Sequence, residues 1–332
     1  MMRLMKLLSI VGVGLLISGT AEAQQRYVLS LNWIPHALHY GIYVAKEKGW
    51  YKSAGIDLDI QRGYGSGDTV KRVATGAAAF GLADAASVIV GRAQGLDTKL
   101  VAMIMDRPAD AVYFIKGSGI AKPKDLEGKT MGAAAGETSL NLLPVFAKNA
   151  GFDAGKIKIV TMTSTSKIPS LVEHKVDSIV TFTNEEPMVR NAGKKADVPI
   201  GRFLFADYGV DYYSVGFIVS DATLREKPAV VKAFVDATMR GFAEAVKNPN
   251  EVADDFAKNN PATSRDLMLQ QWGYIEHDML TPTAAAKGLG YMEPGKMEKT
   301  IALMKAFQHV TADIKPADVY TDQYLPKIEV KQ

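Results

Sequence analysis

The stretch Leu31–Tyr51, LNWIPHALHYGIYVAKEKGWY, decides how this chain is read. It begins as the end of an apolar strand, Tyr27 to Leu31, and passes through a loop with a tryptophan, a proline and two histidines. From Tyr40 onward Ile42, Tyr43, Ala45 and Trp50 recur at roughly helical spacing, and Gly49 lies near the helix end. Beyond it Ile56, Leu58 and Ile60 alternate with Asp57 and Asp59, the period of a strand. The result is a β-α-β unit, and in open α/β sheets ligands bind at the carboxyl ends of the strands. The loop holding Trp33 and His39 sits at such an end.

Working outward, the same alternation continues. Gly63-Tyr64-Gly65-Ser66-Gly67-Asp68-Thr69 leads into a helix over Val70 to Gly76, Phe80 to Asp84 is a strand ending in an acid, and Ala85 to Gly95 is a small-residue helix. Leu100 to Met105 is a buried strand ending in Asp106-Arg107-Pro108, and Ala111 to Ile115 reads as a strand leaving the first domain. A second layer follows. Thr130 to Ala134, Ile157 to Met162, Val176 to Phe182 and Arg202 to Phe205 are its strands, and Gly136-Glu137-Thr138-Ser139 caps a helix running to about Gly151. Val215 to Ser220 looks like the return crossing, and from Lys227 the chain is mainly helical, punctuated by Pro228, Pro249, Pro261, Pro282 and Pro294.

The expected organisation is therefore a signal peptide over 1–23, a discontinuous first lobe of 24–115 and 215–332, and a second lobe of 116–214. Arg3 and Lys6, the apolar run Leu7 to Ile17 and Ala21-Glu22-Ala23 make an export signal with cleavage after Ala23. The apolar run is short for a membrane anchor. With 332 residues, 47% hydrophobic, and a net charge of +3 spread among interspersed acids and bases, the composition is globular and does not indicate nucleic acid binding. The absence of cysteine rules out disulfides, thiolate metal sites, cysteine nucleophiles and a lipidated cysteine. A free periplasmic protein fits these features.

Each candidate residue also has a plainer reading. The Gly63–Thr69 run suits close backbone approach to a ligand, yet its residues are ordinary turn and cap chemistry, and no Gly-Lys-Ser/Thr follows to make a P-loop. Asp106-Arg107 reads as an ion pair, Glu185-Glu186 as a helix start favoured by the dipole, and Tyr208, Tyr212 and Tyr213 either as an aromatic ligand wall or as packing. His277 and His309 have no ligand-spaced partners, so no metal is expected. Gly65-Ser66-Gly67 lacks the Gly-x-Ser-x-Gly spacing of a nucleophile, and Gly117-Ser118-Gly119 is placed on a crossing strand.

Several motifs carry a resemblance. They are Leu31-Asn32-Trp33-x-Pro35 with His39, Gly49-Trp50-Tyr51 before Ala54-Gly55-Ile56-Asp57, and Phe80-Gly81-Leu82. Phe114-Ile115-Lys116-Gly117-Ser118-Gly119-Ile120, Asp125-Leu126-x-Gly128-Lys129 and Lys175-Val176-Asp177 extend it over nearly all of the mature chain. With these the sequence resembles the NMT1/THI5-like solute-binding proteins of ABC transporters, and the Asn-Trp-x-Pro opening resembles their pyrimidine-precursor branch. The resemblance implies a type II periplasmic-binding fold: two α/β lobes, two hinge crossings and a ligand closed between them. It implies a small planar heteroaromatic ligand, delivery to an ABC permease, a monomer, and no cofactor.

The family also contains a suicidal hydroxymethylpyrimidine phosphate synthase, which uses a lysine, a histidine and a cysteine-rich run. Here Ala83 and Ser87 align with the lysine and histidine, and cysteine is absent. Binding without catalysis is the leading expectation. Trp33 is expected as a stacking surface with Tyr208, Tyr212 or Tyr213 opposite, and Asp84, Glu185 and Glu186 as acceptors for an exocyclic amine. His39, Ser66, Thr69, Glu137, Thr138 and Asn184 supply further polar contacts. One alternative, an aromatic carboxylate or sulfonate, shifts the weight to Arg107, Ser66, Thr69, Thr138 and Ser139; another is a periplasmic enzyme or sensor partner on the same fold.

Overall fold

The computed structural model describes residues 25–328 apart from 136, 262, 263 and 309. The export signal and His309 lie outside the described residues. Within them the chain forms β1 Gln25–Ser30, β2 Ile56–Gln61, β3 Phe80–Asp84, β4 Thr98–Met103, β5 Asp110–Ile115, β6 Thr130–Ala133, β7 Lys158–Thr161, β8 Ser178–Phe182, β9 Ile200–Leu204 and β10 Val215–Ser220. These make two five-stranded sheets, ordered β2-β1-β3-β10-β4 and β7-β6-β8-β5-β9.

The two sheets share one plan. In each, the first strand pairs in parallel with the second and third, and a strand arriving from the other lobe inserts antiparallel next to the third. Those inserted strands, β10 and β5, are buried along their whole length. This explains their unbroken apolar character: a strand covered on both faces has no polar side to alternate. The β5 result corrects one expectation. Asp110–Ile115 belongs to the second sheet, so the outgoing crossing is residues 104–109, and Gly117-Ser118-Gly119 lies beyond the crossing.

The crossings run side by side. Ser214 N–H donates to Met105 O (3.1 Å), Met105 N–H to Val215 O (2.9 Å) and Phe205 N–H to Asp110 O (3.0 Å). The hinge is thus a two-chain ribbon rather than two loose linkers.

Helices over Tyr40–Glu47 and Pro228–Lys247 cover the first sheet and meet backbone to backbone. A Cβ on Gly241 would lie 1.9 Å from Gly41 O, and one on Gly41 would lie 2.2 Å from the Phe242 ring. Only glycine allows this approach, which seats the helix that follows the Trp33 loop against an aromatic core. In that core Phe80 stacks on Phe234 at 3.8 Å between centroids and Tyr40 on Trp272 at 5.3 Å. Gly241→Ala should push the two helices apart and lower stability by about 3 kcal/mol, the upper range for an overpacked core; urea unfolding followed by tryptophan fluorescence measures this.

Candidate ligand-binding site

The sequence places three loops at the carboxyl ends of strands, and backbone bonds lock two of them together. Leu31 N–H donates to Gln61 O (2.8 Å), Gly63 N–H to Trp33 O (3.0 Å) and Gly65 N–H to Asn32 O (2.9 Å). A Cβ on Gly63 would lie 1.8 Å from Leu31 O, so this stitching requires glycine. Trp33 and Tyr64 are thereby held at the mouth of one cavity of about 520 Å³. That volume is in the range of sites for drug-sized ligands.

The opposite side comes from the second lobe: Ala134 and Ala135, Glu137 and Thr138, Met162 to Thr165, Lys167, Thr181, Phe182, Asn184 and Glu185. A charged relay runs through this wall. Lys167 Nζ donates to Glu137 Oε1, to Val180 O (3.0 Å) and to Thr181 Oγ1 (2.9 Å), and Thr181 Oγ1 donates to Glu185 Oε2 (2.5 Å). Burial pushes the Glu137 carboxyl up, against the pull of the Lys167 ammonium. Glu137 Oε2 also accepts from Ala134 N–H at 3.0 Å. Lys167 is thus committed to the protein, while Glu185 faces the cavity with one donor from Thr181.

The histidines hold the loop. His39 is fully buried; its Nδ1 accepts from His36 N–H (3.1 Å), so its Nε2–H donates to Asn32 Oδ1 (3.1 Å). Removal from water holds His39 neutral, its pKa well below the ordinary value, and the neighbouring His36 adds to this. Desolvation likewise lowers His36 to about 4, with Glu185 pulling the other way. His36 Nδ1 accepts weakly from Leu38 N–H (3.4 Å) and from Asn184 Nδ2 (3.5 Å), a contact that spans the two lobes. This orients the Asn184 amide. Asn184 lines the cavity, and its Oδ1 is buried with no hydrogen-bond partner among the described residues.

Known proteins share this arrangement of elements. A family model described as NMT1/THI5 like matches residues 36–252, well over half of the chain. The chain belongs to the NMT1/THI5-like family. It is 27% identical to the riboflavin-binding protein RibY of Chloroflexus aurantiacus, covering 91% of this chain and 86% of that one. It is 29% identical to the formylaminopyrimidine-binding protein of Halalkalibacterium halodurans, covering 74% of each. Other matching relatives carry the name 4-amino-5-hydroxymethyl-2-methylpyrimidine phosphate synthase. Among solved structures, the periplasmic aliphatic sulphonate binding protein SsuA from Escherichia coli matches with a TM-score of 0.66 at 14% identity, over 92% of this chain and 94% of that one. The chain has the periplasmic-binding-protein fold.

Within this NMT1/THI5-like frame, Trp33, Ser66, Glu137, Thr138, Asn184 and Glu185 line the cavity. The other expected contacts do not, each for a physical reason. His39 clamps the loop, and Thr69 Oγ1 donates to Leu31 O (2.9 Å) behind it. Asp84 is buried and accepts from Ser87 N–H (2.6 Å) and Thr138 Oγ1 (2.6 Å). Glu186 is buried and paired with Arg190 (2.5 Å) and Arg202, because consecutive residues at a helix start point in different directions. Arg107 lies away, its Nη1 donating to His277 Nε2 at 2.7 Å. Ser139 Oγ donates to Asp110 Oδ1 (2.5 Å).

The tyrosine wall is also corrected. Tyr212 is fully buried and donates to Asp110. The Tyr213 hydroxyl accepts from Glu293 N–H (2.6 Å), and Tyr208 packs edge-on against Phe146 at 5.1 Å. Besides Trp33, the large aromatic side chains lining the cavity are Phe182 and Tyr64, the latter 68% exposed with the Arg62 guanidinium 4.7 Å from its ring centroid. Among the described residues there is no group of three or more His, Asp or Glu able to hold a metal, and no helix long and apolar enough to cross a membrane.

Two outcomes test this network. Lys167→Met strands the Glu137 carboxylate, an expected loss of about 3–5 kcal/mol in urea unfolding. Asp110, buried at the hinge, has its carboxyl raised to about 7, chiefly by desolvation. A group raised above its unfolded value adds stability at low pH that is lost as pH climbs through about 7. Asp110→Asn should therefore melt increasingly above the parent protein as pH rises from about 4 to 7, with the difference level beyond; a pH series of melting curves reads this directly.

Proposed function

We propose that this protein is the solute-binding component of an ABC importer, exported to the periplasm through a cleaved signal peptide and acting as a monomer. Its first lobe comprises 25–103 and 215–328 and its second 110–214, with 104–109 as the outgoing crossing. It closes about the hinge on a planar nitrogen heteroaromatic molecule and hands that molecule, chemically unchanged, to a permease.

The observation that carries this reading is the Asn184–Glu185 pair. A buried amide oxygen without a partner costs stability unless something donates to it. Beside it, Glu185 presents a carboxylate. Two adjacent acceptors select a ligand edge carrying N–H groups, such as an exocyclic amine or a ring imide, and Trp33 and Tyr64 offer faces for the ring. The riboflavin and formylaminopyrimidine relatives, named for ligands of this class, agree with it.

An aromatic acid or sulfonate is less well served, because Lys167 is held by Glu137 and Arg107 lies elsewhere, which leaves Arg62, set against the Tyr64 ring, to balance it beside the Glu185 carboxylate. The synthase reading is weakened by Ala83, which is fully buried in the core where a cofactor-binding lysine would have to emerge. A thermal-shift panel of riboflavin, aminopyrimidines, and aromatic acids and sulfonates should show stabilisation by the first two classes only; stabilisation by anions alone would overturn the reading. For a ligand so identified, Asn184→Leu and Glu185→Gln should each weaken binding about tenfold in calorimetric titration.

A further inference from the structure

We propose that the cleft contains a second chamber that receives a hydroxylated chain attached to the ligand's ring, so that the ligand is a ring-plus-polyol molecule. This rests on the heteroaromatic reading above and narrows it. Next to the main cavity lies another of about 340 Å³, and the two share Tyr64, Gly65 and Ala135 as lining. Tyr64 therefore stands at the partition, and a molecule that stacks on it in the first chamber reaches the second without leaving the cleft.

The second chamber has an apolar floor that includes Val70, Val90 and Met304, and a rim that includes Asp68, Lys71, Gln94 and Asn141. Such a rim mixes groups that only accept, only donate and do both. Hydroxyl groups, which donate and accept, can satisfy all three kinds. A phosphate only accepts, and the Asp68 carboxylate offsets the attraction of Lys71, so its charge would be desolvated there without a net cation to compensate. A single substituted pyrimidine, held at Asn184 and Glu185, would leave this second volume unfilled.

Flavin fluorescence titrations test the proposal with three probes: riboflavin, lumiflavin, which keeps the ring but replaces the polyol by methyl, and FMN, in which the chain ends in phosphate. Riboflavin should bind about tenfold or more tighter than lumiflavin, and FMN should bind more weakly than riboflavin. Val90→Trp, which fills the chamber, should remove riboflavin's advantage and leave lumiflavin binding unchanged. Asn141→Leu, at an exposed position that the fold tolerates, should lower riboflavin affinity alone. Equal binding of riboflavin and lumiflavin, FMN binding as tight as riboflavin, or equal losses for both ring ligands in these variants would overturn the proposal. Binding of an aminopyrimidine with no flavin bound would overturn the chamber and keep the heteroaromatic reading; binding of neither would end both.

Discussion

Two carboxylates buried where the lobes meet, Asp84 at the end of β3 and Asp110 at the start of β5, constrain everything around the cleft. Neither has a cation partner in the ion pairs of the described residues, and each is satisfied instead by hydroxyl donors brought from elsewhere in the chain. Thr138 and Ser139, consecutive at one helix start, reach the two acids separately at 2.6 and 2.5 Å, and Tyr212 on the return crossing completes Asp110. A buried carboxylate left without donors is costly, so these bonds hold the second lobe's first helix over the first lobe's third strand. The wall of the cavity is built on that registration.

From this junction the site follows in order. The helix start that satisfies Asp84 also carries Glu137, whose pairing with Lys167 consumes the cation nearest the cavity floor. Thr181 then links Lys167 to Glu185, and this part of the wall is left with two acceptors, the Glu185 carboxylate and the buried, unpartnered Asn184 oxygen. On the other side, neutral His39 and His36 hold the Trp33 loop, and the bonds from Gly63 and Gly65 align it with Tyr64. Lys167 is spent on Glu137, and the proposed ligand, a flat molecule with N–H groups, meets the acceptors that remain, with Arg62 set against the Tyr64 ring.

Much of this was legible from pattern. The period-two run of β2, the strand ending in Asp84 and the return through β10 mark the architecture, and the motifs around Trp33 point to the NMT1/THI5-like family. Cavity residues at strand ends, such as Trp33, Ser66 and Glu185, follow from the same rule. What pattern does not carry is direction. Glu185 and Glu186 are alike in sequence, yet one faces the cleft and the other is buried against Arg202. Tyr212 and Tyr213 look like a ligand wall but are buried pillars of the hinge, whereas Tyr64 stands in a glycine run that reads equally as a ligand loop and as turn chemistry. Lys167 gave no signal, since its role depends on a carboxylate 30 residues away. β5 sits in the second sheet although its sequence suits the first, because a wholly buried crossing strand reads the same in either.

The central claim is that the cleft captures a planar nitrogen heteroaromatic molecule and releases it unaltered. Mass spectrometry of the protein, native and then denatured after incubation with its stabilising ligand, tests this most directly. The account predicts one ligand per chain in the native spectrum and recovery of that ligand at its original mass on denaturation. Recovery of a chemically changed molecule, or of a covalent adduct on the chain, would contradict it.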